Sequence, residues 1–218
     1  MKNQQAVNKT ADFIKKKFTD DTTGHDWWHM YRVWQLAKHI SKEEKGADPL
    51  VVELAALLHD IADWKFHSGD FEAGPKAARQ WLESLNVDER TIQHIEEIVR
   101  NISFKGANIK PNLKTLEGQI VHDADKLDAM GAVGIARTFV FGGAHGRSLY
   151  DPDQPHLKEY TFVLSEHNKT SAIHHFYEKL LLLKDRMYTK TGKKMAQHRH
   201  AYLESYLEEF YKEWNGEL

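Results

Sequence analysis

Two histidines and two aspartates stand out by type and by company: His29, the doublet His59-Asp60 in the apolar run Ala55-Ala56-Leu57-Leu58-His59-Asp60-Ile61-Ala62, and Asp125 in His122-Asp123-Ala124-Asp125-Lys126-Leu127. An ionised carboxylate among leucines is costly unless a partner or a cation neutralises it. Two imidazoles and two carboxylates make up the inner coordination shell of a catalytic metal, and this nitrogen and oxygen donor set suits Mn, Fe, Co, Ni or Zn better than Mg. An ion so held keeps open positions for water or phosphate, acts as a Lewis acid and lowers the pKa of bound water. A His-Asp doublet alone is a weak signal, since a leucine-rich helix also accommodates a hydrogen-bonded core pair. His29 on an aromatic-rich helix start and Asp125 in a second apolar helix strengthen the metal reading.

The elements that must position these residues are helical almost throughout, because apolar residues recur at a helical period and strand alternation is rare. Asp48-Pro49 predicts a cap and first residue for a helix that presents Leu54, Leu57, Leu58 and Ile61 inward and carries His59 and Asp60. Gly74-Pro75 opens a helix with Ala78, Trp81, Leu82 and Leu85 on one face, ended by Asn86, and Asp88 caps the next, which presents Ile92, Ile95, Val99 and Ile102. A loop over 103–112 precedes a helix from about Thr115 that carries Asp125. Gly131, Gly134 and Gly142-Gly143 loosen the pattern, and an irregular loop is expected from Gly142 to about Tyr160. Helices follow around Ser171 to Tyr188 and Thr191 to Trp214, the last striped by Leu203, Leu207, Phe210 and Trp214. The expectation is an all-α, compact helical bundle, a single domain over 1–218 with core motifs at about 20–140 and C-terminal helices at about 160–215.

Composition narrows the classes of function. The 218 residues are 41% hydrophobic, enough for one packed core, and a formal net charge of -2 gives no general attraction to nucleic acid or membrane. Lys15-Lys16-Lys17 and Lys193-Lys194 read as solvated helix faces. The absence of Cys excludes disulfides and thiol catalysis. Neither a signal-peptide pattern nor a long uncharged apolar stretch is present, so the expected location is the cytoplasm.

The order His29, His59-Asp60, Asp125, with the flanks His25-Asp26-Trp27-Trp28-His29-Met30-Tyr31-Arg32-Val33, Ile102-Ser103-Phe104 and Asp123-Ala124-Asp125-Lys126-Leu127-Asp128-Ala129-Met130-Gly131, resembles the HD-domain superfamily of metal-dependent phosphohydrolases, in particular its small bacterial single-domain members. The resemblance spans roughly residues 20 to 215 and implies the HD-type helical fold. It implies His29 rather than His25 as first ligand, because Arg32 and Val33 follow at the family's spacing, and Asp125 rather than Asp123 as the last. Asp123, facing away on the same helix, then takes a supporting or capping role. Asp63, on the ligand face, stands where related enzymes carry a carboxylate, usually Glu, that orients water or protonates the leaving group; it equally suits a pair with Lys65 or a helix cap. Arg32, at i+3 from His29, is placed to clamp phosphate oxygens or to form a salt bridge with Asp63 or Asp26. Lys126 can neutralise phosphate charge. His67, Lys76, Lys105 and Arg137 are further phosphate candidates, each also explicable as structural or surface.

The function implied is hydrolysis of a phosphate ester or anhydride by metal-activated water, with one divalent transition metal such as manganese and a phosphorylated small molecule, foremost a (deoxy)nucleoside mono- or triphosphate, as substrate. Two other readings stay open at this level. A di-iron HD-type oxygenase needs His94 and His122 as added ligands, whereas a non-catalytic nucleotide sensor has no need of open metal positions. Trp27, Trp28 and Trp64 are expected in the core, with base stacking the alternative. Dimerisation is left open.

Overall fold

The computed structural model describes residues 2–19, 26–62, 70–102, 111–154 and 170–217. The described residues are helical or turn, with no strand among them. Helices α1 (Lys2–Lys17), α2 (Trp27–Glu44), α3 (Pro49–Leu58), α4 (Ala73–Ser84), α5 (Glu89–Ile102), α6 (Leu116–Asp128) and α7 (Gly131–Ala144) are followed by α8 (Ala172–Glu178), a 3-10 segment (Leu180–Arg186) and the long α9 (Lys190–Asn215). None of them is long and apolar enough to cross a membrane.

Helix α3 is the centre. Val51, Val52 and every residue from Leu54 to Leu58 are buried, and α3 packs against α1, α2, α5 and α6. Each buried aliphatic side chain of this kind contributes about 1.5–3 kcal/mol. Both caps read from the sequence are present, Asp48 accepting from Leu50 N and Asp88 from Thr91 N. Thr115 caps α6 by accepting from Gly118 N, and Thr189 caps α9 by accepting from Gly192 N. Asn86, at φ 54°, ends the α4 segment with a left-handed residue, and Ile92, Ile95, Val99 and Ile102 are all buried. Lys15, Lys16, Lys17, Lys193 and Lys194 are exposed, as solvated faces should be.

Three boundaries differ from the sequence expectation. Helix α3 stops at Leu58, where Ile61 N bonds back to the Leu58 carbonyl three residues earlier, so His59 and Asp60 leave the helix end instead of sitting inside it. Helix α7 runs through its glycines to Ala144, and Gly134 lies so close to the Ala129 carbonyl that a Cβ there collides with it. The irregular chain therefore begins at His145. The segment expected as one helix from Ser171 to Tyr188 divides at Lys179 into α8 and the 3-10 segment, in which Leu180 and Leu183 are buried while Leu182 is exposed, the three-residue period of that geometry.

The C-terminal helix is tied to α6 by Asp123. Its buried carboxylate accepts from Tyr188 N at 3.0 and 3.1 Å, Thr189 N at 2.8 Å, Thr189 Oγ1 at 2.8 Å and His122 Nδ1 at 3.2 Å. Gly192 passes so close to Asp123 Oδ2 that a Cβ there collides with it. Arg199 of α9 adds a bond to the Leu127 carbonyl.

Asp123→Ala is expected to lower unfolding free energy by about 1–3 kcal/mol for each buried donor left without its acceptor, seen as a fall in the urea midpoint. An unchanged midpoint removes Asp123 as the tie. Burial lowers the pKa of His122, outweighing the pull of Asp123 and keeping the ring neutral in the folded state. The unfolded chain protonates it below its ordinary pKa of about 6.5, so its contribution is complete above that pH and is lost as pH falls. The stability advantage of wild type over His122→Gln is expected to shrink between about pH 8 and about pH 5. A constant difference contradicts a neutral buried His122.

Candidate metal centre

Three helix ends meet at one end of the bundle. His29 lies in the first turn of α2, held by Asp26, which caps the helix by accepting from His29 N at 3.0 Å. His59 and Asp60 follow the C-terminus of α3, and Asp125 lies in the last turn of α6. Two helix C-termini thus bring their negative dipole ends to the place where the four residues converge, which favours a cation.

The two imidazoles present the same edge. His59 donates from Nδ1 to the Ala56 carbonyl at 2.8 Å, one of the acceptors that a helix end leaves without an intrahelical partner. His29 donates from Nδ1 to Asp128 Oδ2 at 2.8 Å. With Nδ1 carrying the proton, each Nε2 turns its lone pair to the centre. His29 Nε2 lies 3.6 Å from Asp60 Oδ2 and 3.7 Å from Asp125 Oδ1; His59 Nε2 lies 3.5 and 3.8 Å from the same atoms. Both rings are buried, and His59 Nε2 makes no hydrogen bond to the described residues.

These separations are too long for hydrogen bonds and suit a shared ion. Ligand atoms about 2.1 Å from a metal at a tetrahedral angle are about 3.4 Å apart. His29, His59 and Asp125 form the group of potential ligands whose donor atoms all lie within 4.8 Å of one another, and the Asp60 carboxylate packs against both its nitrogens. The residues present therefore fit a divalent transition ion.

Charge is arranged to keep the carboxylates ionised. Burial alone pushes Asp125 up, but Lys126, His59 and His29 outweigh it and hold its carboxyl well below the usual range. Burial likewise pushes Asp128 up, and its bonds to His29 and Arg32 with nearby Arg137 bring it down. For His29, burial favours the neutral ring, but the hydrogen bond to Asp128 and the nearby Asp60 carboxylate raise its pKa on balance.

The other expected site residues are placed as follows. Lys126, buried, donates to Asp125 Oδ2 at 2.8 Å, which leaves Oδ1 as the oxygen turned to the histidines. Among the described residues Arg32 pairs with Asp128 and not with Asp26: its Nε and Nη2 hold Asp128 at 2.6 and 3.1 Å. Arg137 donates to the same carboxylate at 2.8 Å, and Lys76 is exposed with its Nζ 3.7 Å from Asp70. Asp63, Trp64, Lys65, His67, Lys105 and His25 lie outside the described residues, as does most of the 103–112 loop. His94 Nε2 is hydrogen-bonded with Thr115 Oγ1, and His122 turns to Asp123, so neither belongs to the ligand group. Trp27 is half-buried, whereas Trp28, expected in the core, is 57% exposed beside His29.

Asp128 escaped the sequence reading. It stands one turn beyond Asp125, and that i+3 spacing was the available signal. Nothing in the spacing alone shows that it reaches back to a helix about a hundred residues earlier.

Similar proteins share this architecture. The family model described as HD domain matches residues 27–130. The uncharacterized protein YpgQ of Bacillus subtilis (strain 168) is 35% identical over 99% of this chain and 97% of its own length. The crystal structure of a HD-superfamily hydrolase from Bacillus thuringiensis is 43% identical and covers 98% of both chains with a TM-score of 0.75. The crystal structure of YpgQ in complex with ADP has a TM-score of 0.77, with 33% identity in the superposition over 98% of this chain and 97% of that one. The chain belongs to the HD-domain superfamily of metal-dependent phosphohydrolases.

A divalent ion bound here stabilises the fold by mass action. At about 1,000 times its Kd the gain is about 4 kcal/mol, seen as a rise in Tm on adding Mn or Zn to metal-free protein. His59→Ala and Asp125→Ala are expected to abolish that rise, and its persistence in both variants places the ion elsewhere.

Proposed function

We propose that the protein hydrolyses a phosphate ester or anhydride bond of a nucleotide, a (deoxy)nucleoside mono- or triphosphate, with one divalent transition metal held by His29, His59, Asp60 and Asp125. The observation that carries this reading is the pair of Nε2 atoms facing two carboxylate oxygens at 3.5 to 3.8 Å. When bound, the metal supplies Lewis-acid polarisation of a phosphate oxygen and lowers the pKa of water.

The chain's own groups account for the rest. Among the described residues at the centre, the carboxylates of Asp60, Asp125 and Asp128 are matched by Lys126, Arg32 and Arg137, so a divalent ion leaves the site net positive and selects an anion. Arg32 spends its Nε and one Nη2 donor on Asp128; Nη1, on a side chain 30% exposed, is the edge that meets a phosphate oxygen. Lys126 holds Asp125 with one oxygen inward and adds positive charge beside the substrate. Asp63 keeps the proton-handling role implied by the family resemblance. A nucleotide is favoured because the related YpgQ was crystallised with ADP. One ion per chain is favoured because His94 and His122 are engaged elsewhere.

The test is a screen of nucleotides against metal-reconstituted protein, with products identified by mass. His59→Ala is expected to lose turnover by at least about a thousandfold while still binding nucleotide. Turnover unchanged in that variant overturns the site, and binding without turnover in wild type favours a sensor.

A further inference from the structure

Asp128 is 1% exposed and collects four hydrogen bonds from three side chains. Oδ2 accepts from His29 Nδ1 at 2.8 Å, Arg137 Nη1 at 2.8 Å and Arg32 Nη2 at 3.1 Å, while Oδ1 accepts from Arg32 Nε at 2.6 Å. The donors come from the first two turns of α2 and from α7, so one carboxylate joins the C-terminal turn of α6 to both neighbours. A buried structural ion pair needs only one guanidinium. Here the carboxylate also takes the imidazole, and takes it at the nitrogen opposite the one that faces Asp60 and Asp125.

We infer that Asp128 is a positioning residue of the metal centre: it fixes His29 in the tautomer and ring orientation that present Nε2 to the ion, and it aligns Arg32 and Arg137 at the same time. The inference rests on the metal reading above. A carboxylate behind a ligating histidine raises its basicity and prevents the ring from turning, and loss of such a partner weakens metal binding by about 10–100-fold. An amide cannot replace it. Asn at this position has a single acceptor oxygen; keeping that oxygen on His29 and Arg137 sets its NH2 against Arg32 Nε, donor against donor, and leaves two guanidiniums without a counter-charge.

The test is calorimetric titration of metal-free protein with zinc, together with long-range proton–nitrogen NMR of the histidine rings in the zinc-loaded state. Asp128→Asn is expected to bind zinc about 10–100-fold more weakly than wild type. In wild type, His29 is expected to carry its proton on Nδ1, protected from exchange, with zinc on Nε2. That second measurement needs no variant, so it decides the matter even if Asp128→Asn fails to fold. Zinc bound equally by both proteins with an unchanged His29 spectrum, or zinc on Nδ1 of His29 in wild type, overturns the positioning role and leaves the metal centre standing. Failure of wild type to bind zinc at His29 and His59 overturns the metal centre itself, and this inference with it.

Discussion

Asp60 and Asp125 turn their carboxylates toward the same pair of imidazole nitrogens, and negative charges gathered at such spacing repel unless positive charge lies among them. The rest of the site follows from satisfying that demand. Lys126 takes one oxygen of Asp125, the two histidines face the others, and the C-terminal ends of α3 and α6 add partial negative charge in the same direction. A divalent cation completes the balance, and the excess positive charge it brings is what an anionic phosphate recognises.

The fold serves this convergence by placing helix ends at the centre. A helix interior would bury Asp60 among leucines, whereas the end of α3 at Leu58 lets the backbone turn outward, leaves the Ala56 carbonyl to orient His59, and brings Asp60 to a half-buried position. The same logic places Asp128 at the last residue of α6, where it reaches the first turn of α2. On the far side of α6, Asp123 uses its carboxylate to gather the start of α9. Two aspartates five residues apart on one helix thus act on opposite partners: Asp123 ties the C-terminal helix, and Asp128 ties the histidine of the site.

Much of this was legible in the residues. The helical period, the capping residues Asp48 and Asp88, and the inward faces of α3 and α5 are local properties, decided by a few neighbours along the chain. The order of His29, His59-Asp60 and Asp125 also carried the family resemblance. Arg32 was readable as a cation near His29 but not as a partner of Asp128, and Trp28 was readable as an aromatic but not as an exposed one. The i+3 spacing of Asp125 and Asp128 could be counted, but not what either faces.

Sequence by itself determined that the chain is helical, where several helices begin, and which side chains offer nitrogen and oxygen donors, because those properties depend on the residue and its near neighbours. Tertiary structure alone decided that His29 and Asp128, 99 residues apart, share a hydrogen bond, that His94 and His122 are engaged elsewhere, and that Asp123 clamps α9. Those facts depend on how whole helices pack, and packing is set by the sum of many buried contacts instead of any one residue's preference.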